Sequence, residues 1–418
     1  MHRYILACLL AVGIVSCAGD EYEQEPIPSK DRVTVNLTFS TGRSTNDEVE
    51  ADDPEDQLRS LRVYIFSDGE LVGYQPETTI PAGTTSQVLE MQLSLSNSAI
   101  PSEGYPCTFY IIANEEKAGT LKLGDNTGYT LPEAKKDDKS FWTLPEGTTE
   151  ETFKNIKFTQ LPTATEEWNK DGKTHYGSIL PMAAIHKETI HKDTKSIEIG
   201  LQRSVAKLSL YFAKTGSGEL YMDRGMYLYN VPQEGYLFPR QNLEESNIDI
   251  GNTETDLDRE ETSDSGDHQR NGQELLKPDY ESGTTTPAHK NKITTYYPIE
   301  GEPDGIPNPK NYQQMPDKPI YLFAHYTGVG KADGIGDPKT DKGYYVKLLF
   351  HMHEDKGDNG EIETNHDGKI NRVFLPKVNA NEEVRIFSRI YMEGYIKLEL
   401  HWMVEKWEDG GGGDITFN

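Results

Sequence analysis

His186 and His191, with Glu188 between them, come nearest in this chain to a zinc-binding histidine pair. A zincin helix needs its two histidines four apart, so that both share one face. Here they are five apart, about 140° round a helix or on opposite faces of a strand. His351 and His353 do share a strand face, with Glu354, Asp355 and His366 close behind. The segment Asp355–Gly360 has the acids of a calcium loop, but Gly357 stands where an oxygen ligand belongs and His366 where a bidentate glutamate belongs. A hairpin turn is the better reading. Glu254–Asp267 is acid-rich and reads as solvated. Gly328-Val329-Gly330-Lys331 lacks the first glycine and the following Ser or Thr of a phosphate-binding loop, and no nucleophile elbow or dinucleotide fingerprint is present. Cys107 opens the apolar run Thr108–Ile112, where a buried thiol is ordinary; as a nucleophile it would need a nearby base and a lowered pKa. No catalytic residue, metal or cofactor is assigned, and the chain is not read as an enzyme.

The cysteine that does carry a chemical expectation is Cys17. Met1-His2-Arg3 supplies a basic start and Tyr4–Val15 a mostly apolar run, too short to span a bilayer. This is the pattern of a secretory signal. The ending Ile14-Val15-Ser16-Cys17 resembles a lipobox, in which cleavage between Ser16 and Cys17 leaves the cysteine acylated. Residues 1–16 are then the signal peptide, and Gly19–Glu25 is an acidic tether. An acidic run in that place also resembles the surface-export signal of Bacteroidales lipoproteins, which implies an outer-membrane, surface-exposed location. Cys8 leaves with the signal and Cys17 takes lipid. Of the three cysteines only Cys107 is left, so no intramolecular disulfide can form. A net charge of −27 argues against nucleic acid, whose phosphates need clustered Lys and Arg, and suits a soluble exterior.

Alternation of period two dominates the rest. Val33-Thr34-Val35-Asn36-Leu37-Thr38-Phe39 places four apolar side chains on one face. Further strands are expected at Leu61–Phe66, ended by the turn signal Asp68-Gly69, and at Leu89–Leu95, Thr108–Ile112, Ile197–Leu201, Ala206–Phe212, Met226–Tyr229, Tyr321–Ala324, Tyr344–Phe350, Val384–Tyr391 and Ile396–Val404. Helical pattern is scarce; Pro132–Lys139 is expected to form a short helix, with proline in its first turn. Ser44–Gln57, Gln241–Lys290 and Thr327–Asp341 read as long loops. The chain is therefore expected to be all-β with few short helices, as two β-sandwiches in tandem. The boundary is placed near Gly200, giving 44–200 and 201–418.

Six segments in order resemble the fimbrillins, subunits of the type V pili of Bacteroidales. They are the lipobox; the strand Val33–Phe39 with Arg43 and an acidic loop after it; the hairpin Ser60–Gly69; Phe109–Asn114, closing in Ala-Asn; Leu180-Pro181-Met182-Ala183-Ala184; and Arg203–Leu208, with Ile396–Val404 running to Trp407 and a terminal tail. The resemblance implies transthyretin-like sandwiches and a maturation by strand exchange. An arginine-specific protease would cut between Arg43 and Ser44, freeing the lipidated tether and first strand (17–43). The leaving residues Val33, Val35, Leu37 and Phe39 would open a groove for another subunit's C-terminal strand. Four buried apolar side chains at about 1.5–3 kcal/mol each make roughly 6–12 kcal/mol, an upper estimate comparable to a whole domain's stability. Gly410–Gly413 reads as a flexible linker to a donor strand within 410–418, anchored by Ile415 and Phe417; Trp402 and Trp407 either extend it or belong to the core. The implied partners are other pilus subunits, the protease, outer-membrane lipid through Cys17 before maturation, and a receptor on host or bacterial cells. Stalk, tip adhesin and anchor compete within the family, and a surface glycan-binding lipoprotein is the rival outside it.

Overall fold

The structure is a computed structural model. It describes residues 27–41, 53–137, 141–170, 172–216, 218–222, 225–240, 250, 272–277, 290–297, 306–324, 336–337, 340–353, 370–392 and 396–406. Its principal strands make two sandwiches. The first is built from β1 (Arg32–Ser40), β2 (Leu61–Ser67), β3 (Glu70–Glu77), β4 (Ser86–Ser96), β5 (Tyr105–Ala113), β6 (Met182–Ile190), β7 (Ser196–Gly200) and β8 (Gln202–Arg203). One sheet has the order β7-β1-β4 and faces another of order β8-β6-β5-β2-β3. Alternate residues of β1 and β4 turn inward onto Leu61, Val63 and Ile65 of β2 and Phe109 and Ile111 of β5, as the two-residue period requires.

The second sandwich contains β9 (Ala206–Thr215), β10 (Met226–Tyr229), β11 (Gln273–Leu276), β12 (Gln313–Gln314), β13 (Ile320–Leu322), β14 (Tyr345–Leu349), β15 (Ile370–Phe374), β16 (Glu382–Met392) and β17 (Ile396–Lys406). Its sheets are ordered β12-β9-β16-β17, with β13 also paired to β9, and β11-β10-β14-β15. Leu208, Leu210, Leu228, Val346, Ile386 and Trp402 share the core between them. Trp402 is therefore a core residue of its own sandwich. A third apolar cluster joins the two halves: Tyr64, Phe66 and Tyr110, on the outer face of the β2–β5 sheet, meet Leu237, Phe238, Tyr321 and Phe323. The one α-helix among the described residues, α1 (Glu150–Lys154), adds Phe153 to that cluster.

Residues 132–137 of the helix expected at Pro132–Lys139 are not helical. Lys135–Lys136 is a short strand paired with Trp142–Thr143. The Asp137 carboxylate accepts from the Phe141 N–H at 2.7 Å, and the Lys136 ammonium lies 5.1 Å from the Trp142 ring centroid. The segment has no apolar stripe of helical period to bury, whereas a hairpin brings the aromatic Trp142 against Tyr74. The acidic loop Ser44–Gln57 also differs from expectation at its end, where Pro54–Asp56 is a buried 3-10 turn.

Candidate functional site

The first strand occupies a slot. β1 is the middle strand of its sheet, antiparallel to β4 from Thr34↔Gln92 to Ser40↔Ser86 and parallel to β7 from Asn36↔Ser196 to Ser40↔Gly200. Its inner face is closed: Val33 is 4% exposed, and Val35, Leu37 and Phe39 are 0% exposed. Its outer face carries Thr34 and Asn36, both exposed. Among the described strands, β4 and β7 have β1 as their only ladder partner. Taking β1 away would leave a slot floored by Phe109 and Ile111, with unpaired backbone groups along both walls. Such edges are costly when buried and pair readily with another strand.

The two ends of β1 are held differently. At the C-terminal end, the Leu201 N–H donates to the Ser40 carbonyl at 2.8 Å and the Thr41 N–H to the Thr85 carbonyl at 3.3 Å. At the N-terminal end, Ser29–Asp31 forms a 3-10 turn. There the Asp31 carboxylate accepts from the Ser96 and Ser98 hydroxyls, both at 2.7 Å, and from the Ser98 N–H at 2.9 Å. The Asp31 carbonyl accepts from the Asn97 N–H at 2.6 Å. The hydrogen bonds from Ser96 and Ser98 hold the Asp31 carboxyl below the usual carboxylate range.

A buried ionic junction lies between the sandwiches. The Arg203 guanidinium, 1% exposed, pairs with the Asp56 carboxylate and donates to the Glu55 carbonyl at 3.3 Å and to Asn381 Oδ1 at 3.2 Å. Lys207 on β9 reaches Glu55 at 2.8 Å, and the Tyr321 hydroxyl donates to Glu55 at 2.6 Å. Burial works against the charge of Lys207, but Glu55 and Glu383 hold it above the ordinary lysine range. Burial, reinforced by Glu55 and Asp56, pushes the Asp53 carboxyl up to about 6. Asn114, in a left-handed conformation with φ of 55°, donates to the carbonyls of Gln57 at 2.9 Å and Leu180 at 2.8 Å and accepts from the Arg59 N–H at 2.7 Å. Three segments of the sequence resemblance, ending in Asn114, opening at Leu180 and opening at Arg203, thus converge on one place. Composition gives no hint of it, because the partners of Glu55 and Asp56 are about 150 residues away in the chain.

Residues 32–206 match the family model described as the major fimbrial subunit protein (FimA). Over those residues the chain is similar to the major fimbrial subunit family. The match begins on the first residue of β1 and ends on the first of β9, so it takes in the slot and the Arg203–Asp56 pair of the ionic junction. Solved fimbrial structures resemble the whole chain more distantly. The fimbrilin of Porphyromonas gingivalis W83 is 12% identical, with 91% of this chain and 99% of that one covered and a TM-score of 0.43. The tip fimbrial protein Mfa3 of Porphyromonas gingivalis, truncated at its C-terminus, is 13% identical with 90% and 100% covered and a TM-score of 0.40. A fimbrial protein of Bacteroides vulgatus is 12% identical, with 90% and 99% covered and a TM-score of 0.42. No curated protein sequence matches.

The sequence-derived sites divide sharply. Val33, Val35, Leu37 and Phe39 come together on one buried face. Ser16, Cys17, Arg43, Ser44, Gly410–Gly413, Ile415 and Phe417 lie outside the described residues. So do the segments around Asp355–Gly360 and Gly328–Lys331. Arg59, the second arginine beyond the first strand, is tied to Gln57 by a 2.7 Å hydrogen bond. Cys107 is buried, and burial pushes its thiol up to about 11. His186 lies on β6, with its Nε2 3.8 Å from Glu188. Sequence reasoning missed the Asp31 clamp and the buried acids. The spacing of Asp31 two residues before Val33 offers no signal without knowing that Ser96 and Ser98 lie beside it.

Proposed function

We propose that this fimbrial subunit is exported as a lipoprotein on Cys17 and polymerises by exchange of its first strand after cleavage between Arg43 and Ser44. The observation that supports this is the place of β1. It is the middle strand of a three-stranded sheet, its apolar face is sealed, and Arg43 follows three residues after its last residue. A strand internal to a sheet but first among the described strands can leave, once cut at its C-terminal side, without breaking the path of the backbone that follows. The vacated slot is refilled by the C-terminal strand of a second subunit, by strand addition.

The donor pattern fits β17 better than the tail beyond it. Among the described strands β17, of eleven residues, lies at the edge of its sheet. Leu398, Leu400, Trp402 and Val404 all pack on the core side, which reproduces the four alternate apolar residues of β1. Ile415 and Phe417 offer only two. Two experiments separate these readings. In purified precursor, limited trypsin treatment is expected to give a nicked species and then oligomers, with residues 17–43 absent from the fibres by mass spectrometry; Arg43→Ala should slow both steps without unfolding the protein. Fibres that retain residues 17–43 would overturn strand exchange. Removing residues 410–418 should leave fibres intact if β17 donates and abolish them if Ile415 and Phe417 do. Replacement of Cys17 by Ala should abolish acyl labelling.

A further inference from the structure

The geometry points to Asp31 as a retention clamp that gives strand exchange a direction, the N-terminal end of β1 being the last part to let go. This inference rests on the strand-exchange reading above and adds to it a residue and an order of events.

The two halves of β1 are secured by different means. From Asn36 to Ser40 the strand has ladder partners on both sides, in β7 and β4. From Arg32 to Val35 its only ladder among the described residues is with β4, and that ladder is broken by a register shift between Arg32 and Thr34. Backbone pairing alone would make the N-terminal half the weaker one. Asp31 stands just outside that half. Its carboxylate takes three hydrogen bonds from Ser96 and Ser98, and its carbonyl takes a fourth from Asn97. Bonds to an ionised acceptor are roughly twice as strong as neutral ones, so the side chain anchors an end that the sheet holds poorly.

The proposed cut falls at the opposite end, after Arg43. Scission therefore frees the doubly paired C-terminal half while the clamp still holds the other. An incoming strand enters beside Ser40, displaces β1 residue by residue toward Arg32, and completes exchange only when Asp31 releases Ser96 and Ser98. The clamp keeps a nicked precursor whole until a donor has filled most of the slot. Such a device prevents an empty groove from appearing where no partner is present.

The test uses purified precursor nicked with trypsin, with release of residues 17–43 followed by mass spectrometry at fixed protein concentration. Asp31→Ala is expected to release that segment about tenfold faster than wild type. The Ser96→Ala/Ser98→Ala variant should match it, and combining all three changes should add little further. Hydrogen exchange on the nicked protein should show Phe39 and Ser40 opening before Arg32 and Val33. The uncut variants should unfold in denaturant at nearly the wild-type rate; an equal acceleration there would mean general destabilisation and overturn the clamp. Equal release from Asp31→Ala and wild type would also overturn it, with strand exchange intact. If nicked wild type never releases residues 17–43 at any concentration, the exchange reading itself fails.

Discussion

β1 and β16 hold equivalent positions in the two sandwiches. Each lies between one parallel and one antiparallel neighbour: β7 and β4 for the first, β9 and β17 for the second. Each buries an aliphatic side chain at its centre, Leu37 at 0% and Ile386 at 1% exposure. What differs is attachment. β16 enters through Asn381, whose side chain accepts from Arg203, and leaves directly into β17. β1 is the first strand described in the chain, fixed at its start by the Asp31 clamp and followed by Arg43. If β1 is exchanged as proposed and β16 is not, connectivity rather than packing sets the two strands apart.

The largest expected effect is at the junction that separates the two strands' fates. Arg203→Met should leave Asp56 buried without its cation and cost about 3–5 kcal/mol, the usual penalty for breaking one side of a buried pair. Chemical denaturation is the measure, and a loss below about 1 kcal/mol would show that the two sandwiches do not depend on that contact. Next come Leu37→Ala and Ile386→Ala, each expected to cost about 2–5 kcal/mol through the cavity left behind. Their consequences should diverge: Leu37→Ala should speed oligomer formation in the nicked precursor, and Ile386→Ala should not. Equal acceleration by both would break the comparison between β1 and β16.

A smaller effect is expected at Asp53. Its carboxyl is raised to about 6, above its unfolded value near 3.9, so the folded chain binds the extra proton. Stability from this group should therefore rise as pH falls from above 6 toward 4, and be missing at pH 7. Asp53→Asn keeps an acceptor for the Glu55 N–H, now 2.9 Å from the carboxylate. It should stabilise the protein by about 1–2 kcal/mol at pH 7.5 and flatten that pH dependence between pH 6 and 4. Denaturant midpoints at pH 7.5 and 5 give the answer; identical slopes for both proteins would remove the proposed strain. The smallest effect belongs to the partly exposed Lys122–Glu234 pair, 2.7 Å apart. Lys122→Ala should cost no more than about 1 kcal/mol, because Lys157 also holds Glu234 at 2.6 Å.

The long strands were legible because burial on one face imposes a two-residue rhythm, as in Val33–Phe39 and Leu89–Leu95. The short pairs between Leu121 and Gly177 were not, because two to five residues cannot display a period. Pro132–Lys139 misled for the same reason: a proline and a few charged residues suit a helix start, but Lys135 and Lys136 pair with Thr143 and Trp142 instead. The slot could be inferred only as one face of one strand, since its walls come from residues about 50 and 160 positions further on. Glu55 and Asp56 were read only as part of the long loop Ser44–Gln57, because charge in sequence says nothing about a counter-charge brought in by the fold. Arg203 was noticed as part of a resemblance, yet its burial and its bonds to Asp56 and Asn381 follow only from how the two sandwiches meet.

The junction also has a mechanical meaning. Arg203 belongs to a sheet of the first sandwich and grips, through Asn381, the residue just before β16. Beside it, Lys207↔Glu383 begins a ladder of nine residue pairs that binds β16 to β9 along its length. A pull along β16 would load those bonds together in shear, and the load would pass into the first sandwich through a guanidinium fork. If subunits of this kind form a filament, the joint would be expected to help each of them resist stretching where its two sandwiches meet.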